Sequence, residues 1–203
     1  MNMERDLSPW SVVPTLSGEH VRLEPLGLEH ADGLRAAVRP DRLWELWYTS
    51  IPRPEEAQEY IQAALDQQAR GEALPFAVRD AAGEVVGSTR YYQLDPRVPR
   101  LCIGYTWYAT RVQRTGLNTQ AKLLLLTHAF ETLHCAAVTF ETSWFNQASR
   151  AAIARLGARQ DGVLRNHMRH RDGTLRDTVV FSITQDEWPA VNNHLRMKLA
   201  RHD

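Results

Sequence analysis

Two rhythms of apolar and polar positions run through the chain. A period of two marks GEHVRLEPL (18–26), where Val21, Leu23 and Pro25 alternate with polar or charged neighbours, as expected of a strand with one buried face. Short β-type runs recur in LPFAVRD (74–80), EVVGSTRYYQL (84–94), residues 100–109, AAVTFET (136–142), DGVLRNHMRH (161–170) and TLRDTVVFSI (174–183). Between them lie stretches with helical spacing: GLEHADGLRAAV (27–38), Pro54 to Arg70, about 115–133, NQASRAAIARLGA (146–158) and a last helix through EWPAVNNHLRMKL (187–199). His128 and Glu131 are expected on the outer face of the 115–133 helix.

Punctuation fixes how these pieces join. AAG (81–83) and RDG (171–173) are hairpin signals, and DPRVP (95–99) is a turn. Pro54, Glu55 and Glu56 place proline and two acids in a first helical turn, where they suit exposed amides. Gly157 stands where a left-handed helix cap is usual, and Thr184 with Glu187 forms a T-x-x-E capping box. A strand followed by a long helix and another strand predicts a right-handed parallel crossover. The fold class is therefore α+β: a mixed, mostly antiparallel twisted sheet of about seven strands with helices on both faces. Residues 1–17 read as an irregular lead-in and 18–203 as one domain.

Composition narrows the setting. The 203 residues suffice for one sizeable core, and 43% hydrophobic with 24% charged is ordinary for a globular protein. Lys plus Arg and Asp plus Glu each number 24, so the bulk charge points to no nucleic-acid partner. No apolar run approaches a bilayer span of about 20 residues; neither a membrane partner nor a signal core is expected, and a cytoplasmic location is. Cys102 and Cys135 lie in separate apolar segments and read as reduced core thiols; ligand spacing for a metal is missing.

The candidate chemistry sits at RVQRTGLNTQAK (111–122), between the strand LCIGYTWYA (101–109) and the helix-forming LLLLTHAFETL (123–133). A helix start leaves amides without intrahelical partners and carries partial positive charge. A short glycine-bearing loop lets those amides converge on phosphate oxygens, with Arg111 and Arg114 adding charge. The triphosphate loop G-x-x-x-x-G-K-[ST] and the dinucleotide fingerprint G-x-G-x-x-G are both absent.

Gln113-Arg114-Thr115-Gly116-Leu117-Asn118 resembles the Q/R-x-x-G-x-G/A signature of the GNAT superfamily of acetyl-CoA-dependent N-acetyltransferases, with Asn118 in place of the last small residue. VRLEPLGLEHA (21–31), Asn146-Gln147-Ala148-Ser149 and RLGARQDGVLRNHMRHRDGTLRDTVVFSI (155–183) are similar to its RimJ/RimL-like branch. The resemblance implies splayed parallel central strands, acetyl-CoA as cosubstrate without a metal, an amine acceptor (a protein N-terminus or a small molecule) and a frequent homodimer. It also implies a site. Main chain at Trp107, Tyr108 and Ala109 would pair with the pantetheine arm. Gln113, Arg114, Thr115, Gly116, Leu117, Asn118 and Thr119 would wrap the diphosphate. Asn146 would hold the arm, with Ser149 near the thiol as its proton donor.

For the acceptor side, Trp44, Trp47 and Tyr48 fall in the connection that shapes the groove in such enzymes, and Arg165 and His167 would line the other wall. Met168, Arg169 and His170 on the same strand would line it with them; the spacing of His167 and His170 puts the two on opposite strand faces, against a metal pair. Many relatives carry a carboxylate where Cys102 stands, so Glu141 is the local choice for general base, its alternative being a solvated carboxylate on an outward face. The missing carboxylate keeps a second function open, an acyl-CoA-binding sensor without transfer.

Overall fold

The computed structural model describes residues 8–201. Its strands are β1 (Leu16–Ser17), β2 (Val21–Pro25), β3 (Ala73–Asp80), β4 (Val85–Asp95), β5 (Arg100–Tyr108), β6 (Ala137–Ser143), β7 (Arg159–Arg169) and β8 (Leu175–Thr184). They form one eight-stranded sheet in the order β1-β2-β3-β4-β5-β6-β8-β7. The helices are α1 (Ala31–Val38), α2 (Ala57–Ala69), α3 (Gly116–Thr127), α4 (Gln147–Ala154) and α5 (Trp188–Leu199). The strand beyond the expected seven is the two-residue β1, which pairs with Leu23 and Arg22 of β2. Part of the lead-in is docked as well: Trp10 and Val13 belong to the buried core. The first seven residues lie outside the described range.

Adjacent residues of β4 show which helices cover which face. Tyr91 donates through its hydroxyl to the Leu125 carbonyl of α3 at 2.7 Å. Its neighbour Arg90 donates to Gln67 Oε1 of α2 at 2.8 Å. Successive strand side chains point to opposite faces, so α2 and α3 sandwich the sheet. Phe76, Tyr91 and Phe140 are among its largest fully buried side chains; truncating such an aromatic to alanine costs about 3–5 kcal/mol.

The long helix expected through residue 133 ends its α-helical part at Thr127 and continues as one wider turn, His128–Thr132. Glu131 is exposed, as expected of an outer face, whereas the half-buried His128 turns toward the sheet. The His128 ring stacks on Tyr91 with centroids 5.9 Å apart, and Glu131 accepts the Trp188 indole N–H of α5 at 3.1 Å. Apolar periodicity alone could not show that α5 covers this side. Gly157 has φ +101°, the left-handed cap the sequence indicated. Glu187 accepts the Thr184 amide at 3.0 Å, one half of the expected box.

One pair departs from the antiparallel pattern. β5 and β6 run parallel and are registered only over Arg100–Cys102 against Ala137–Thr139. Beyond that point β5 stays with β4 as far as Tyr108, and β6 stays with β8 as far as Ser143. The two strands therefore splay, and the gap opens toward their carboxyl ends. In parallel sheets this is where ligands settle. Both helices that follow these strands, α3 and α4, begin at the same end.

Candidate active site

The gap has a floor, two helix starts and an aromatic wall. Trp107, Tyr108 and Ala109 are buried along one side of it. Toward β4 their main chain is paired: Ser88 opposes Trp107, Gly87 opposes Tyr108, and the Ala109 amide donates to the Val86 carbonyl at 2.7 Å. Gly87 is required there, because a Cβ would stand 2.0 Å from the Trp107 carbonyl oxygen. Toward β6 the same segment has no strand partner.

At the head of α3, Thr115 is the N-cap, and its hydroxyl accepts the Leu117 amide at 3.3 Å. Gln113 turns its amide back to the Tyr108 carbonyl at 2.9 Å, which ties the loop to the end of β5. Arg114 takes a left-handed φ of +62° and is exposed. Arg111 is engaged with Asp80 at 2.6 Å. Its charge therefore neutralises an acid beside the helix start as much as it adds to the cradle. A cavity of about 230 Å³ opens over Val112, Thr115, Gly116 and Leu117, closed on the far side by His20 and the hairpin Asp80–Ala82. A side chain on Gly116 would press on the His20 ring, whose nearest carbon lies 3.0 Å from an ideal Cβ. Nothing in the local sequence pattern of His20 links it to a loop 96 positions away.

Asn146 caps α4, its Oδ1 accepting the Ser149 amide at 3.0 Å. Ser149 is half-buried in the first turn of that helix. Glu141 is half-buried on β6 rather than fully solvated. Thr139 and Cys102 stand two positions back on the same ladder. Burial pushes the Cys102 thiol up to about 12, against hydrogen bonds from Tyr92 and Thr139 that favour the thiolate. A thiol held that firmly is protonated at neutral pH and no base. Burial also raises the Tyr92 hydroxyl, with Cys102 and Glu141 pushing the same way. On Arg176, burial lowers the guanidinium's hold on its proton while Tyr92 and Glu141 restore it. Glu141 thus faces a cluster of Tyr92, Cys102 and Arg176 at the fork of the two strands.

The aromatic wall joins three separate segments. Trp47 meets Tyr48 at 5.7 Å, Phe145 of the β6–α4 connection at 5.2 Å and His170 of the β7–β8 turn at 4.7 Å between ring centroids. Trp44 and Trp47 line a cavity of about 540 Å³ together with Arg42, Arg53, Arg171 and Asp172. His167 is exposed, with its Nδ1 3.2 Å from the Thr178 hydroxyl, and Arg165 is paired with Asp177 at 2.7 Å. Of the penultimate-strand residues, His170 is the one that reaches the wall. Among the described residues no three His, Cys, Asp or Glu side chains converge as a metal would need.

Comparison with known proteins decides the family. The model of the acetyltransferase (GNAT) domain matches residues 20–159, more than half of the chain. The chain belongs to the GNAT acetyltransferase family. Within it, this GNAT protein is 26% identical over 175 residues to the "Putative ribosomal N-acetyltransferase YdaF" of Bacillus subtilis, covering 84% of this chain and 94% of that protein. Its fold matches a crystal structure of a GCN5-related N-acetyltransferase from Brucella melitensis with a TM-score of 0.84 and 30% identity, covering 93% of this chain and 86% of that one. Mycobacterium smegmatis RimJ, solved in complex with CoA-disulfide, shares the fold with a TM-score of 0.77 at 21% identity, over 93% of this chain and 96% of that one. The likeness to RimJ, at this identity, is one of fold. No helix of the described residues is long and apolar enough to cross a membrane.

Proposed function

We propose that the protein transfers the acetyl group of acetyl-CoA to a primary amine, a protein N-terminal α-amine or a small-molecule amine, by direct attack in a ternary complex. The observation that carries this reading is the fork between β5 and β6 with the start of α3 at its mouth. The main chain of Trp107–Ala109 is available to the pantetheine arm on its β6 side. The amides from Gln113 to Thr119 and the small Gly116 suit a diphosphate, with His20 beside them. Asn146, besides capping α4, would hold the arm. RimJ of M. smegmatis was solved with a CoA derivative, which supports the same ligand here.

Transfer needs a neutral amine, a polarised thioester carbonyl and a proton for the departing thiolate. In this reading Glu141 takes the proton from the acceptor ammonium, directly or through water, since Cys102 cannot. A main-chain amide of β5 polarises the carbonyl. The new C–N bond forms as the C–S bond breaks; Ser149 supplies a proton to the sulfur and regains one from the acylated nitrogen, directly or through water, as that nitrogen becomes the amide. An α-amine of pKa about 7.7–8.0 needs far less help from a base than a lysine near 10.4, so a half-buried carboxylate is sufficient for the first. Trp44, Trp47 and Tyr48, with Arg165 and His167 toward the rim, would form the acceptor side. The test is release of free CoA thiol with a panel of N-terminal peptides and small amines. Turnover with any of them supports the enzyme; binding of acetyl-CoA with no turnover would favour a sensor.

A further inference from the structure

Opposite Thr89, the strand β5 carries one residue too many. Ser88 pairs with Trp107 and Arg90 with Gly104, so Tyr105 and Thr106 together face a single residue. This is a β-bulge at the fork of the sheet. Tyr105 adopts φ +51°, a region bulky side chains rarely occupy. On the α2 face its ring is held edge-on to Tyr92 at 5.2 Å and beneath the Arg90 guanidinium, 4.0 Å from the ring centre. On the α3 face, Lys122 Nζ donates to the Thr106 hydroxyl oxygen at 2.8 Å, and Thr106 shares a hydrogen bond with Thr89 at 2.7 Å.

Lys122 is an odd occupant of that position. It is 6% exposed, one helical turn from Leu125 and Leu126, and no carboxylate among the described residues pairs with it. Burying an ammonium without a counter-charge is unfavourable. Burial drives its pKa down to about 7, against the opposing pull of Cys102. A methionine would fill the same volume at no such cost. Stability therefore does not explain the lysine, whereas the partner of its ammonium among the described residues, Thr106, belongs to the bulge.

We propose that Lys122 is a positioning residue of the transfer reaction, which acts through Thr106 to fix the β5 bulge so that the main chain around 105–107 meets the thioester carbonyl. This rests on the transferase reading. A backbone donor is useful only if it is already aimed at the developing oxyanion, and a shift of about 1 Å can cost on the order of a hundredfold in rate.

The experiment compares wild type, Lys122→Met, Thr106→Val, Thr106→Ser and the Lys122→Met/Thr106→Val double variant, with the amine that wild type acetylates best. Wild-type turnover alone decides the transferase reading; without it, this role falls too. Given turnover, Lys122→Met and Thr106→Val should each lower kcat at least about tenfold. The acetyl-CoA KM should stay within about twofold, since uniform binding is untouched. The double variant should be no slower than the worse single, and Thr106→Ser should recover most of what Thr106→Val loses. Amide hydrogen exchange adds a readout independent of activity: peptides spanning 101–109 should exchange faster in Lys122→Met while those of α5 do not change. Unaltered kcat in Lys122→Met, multiplicative losses in the double variant, or unchanged exchange at 101–109 would overturn the proposal. If Lys122→Met fails to fold, the contrast between Thr106→Val and Thr106→Ser still decides it, equal losses in the two counting against the role.

Discussion

The ring of Trp47, in the connection between α1 and α2, stands edge-on to that of His170, in the β7–β8 turn, with 4.7 Å between centroids. The two lie 123 positions apart, and Phe145 completes the contact from a third segment. Three chain segments far apart in sequence are thereby closed into one wall beside the fork. Aromatic pairs contribute about 0.5–1.5 kcal/mol each. Trp47→Ala removes three such contacts and is expected to lower stability by roughly 2 kcal/mol. In steady-state kinetics it should raise the acceptor KM by about tenfold while the acetyl-CoA Kd holds within about twofold. Equal acceptor KM values would take this loop out of the groove.

At the head of α3, Gly116→Glu should abolish CoA binding. The added carboxylate would point into the cavity lined by Thr115 and Leu117, and the new Cβ would press on His20. Titration calorimetry with CoA is the check, and an unchanged Kd would remove the helix start from the binding site. Gly116→Ala should do much less, because only the His20 ring must give way.

Glu141→Gln is expected to lower kcat/KM by about 10²-fold or more, the range of a lost general base. Ser149→Ala should lower turnover with cofactor affinity nearly unchanged. A rate equal to wild type in either variant removes that residue from the mechanism.

Much of this was legible beforehand, and the gaps have physical causes. Period-two and period-3.6 patterns located most of the seven strands and five helices, and β7, which has no buried position, was marked by the RDG turn that joins it to β8. The two-residue β1 carries too few positions for any period. The resemblance at Gln113–Asn118 identified the family that residues 20–159 match. His20, Phe145 and Lys122 carry no comparable signal, for another reason. Each gains its place from a partner on a distant element, and sequence spacing does not report such contacts. Only Lys122 left a trace: a lysine that directly precedes four leucines, Leu123 to Leu126, in a helix buried over most of its surface.

Lys122 also makes stability depend on alkaline pH. Its folded pKa, lowered by burial to about 7 from 10.5, means that the unfolded chain binds the extra proton between those values. Stability should therefore rise as pH increases from about 7 to about 10.5 and lose that gain on the way back down. Lys122→Met should flatten this rise. Thermal unfolding of both proteins across that range is the check, and parallel curves would contradict it.

The central claim is most directly tested by a crystal structure of the protein with CoA. The account predicts the diphosphate on the main-chain amides of residues 113–119 and the pantetheine arm in the fork, beside Trp107–Ala109. Density for CoA at another surface, with the fork closed or empty, would contradict it.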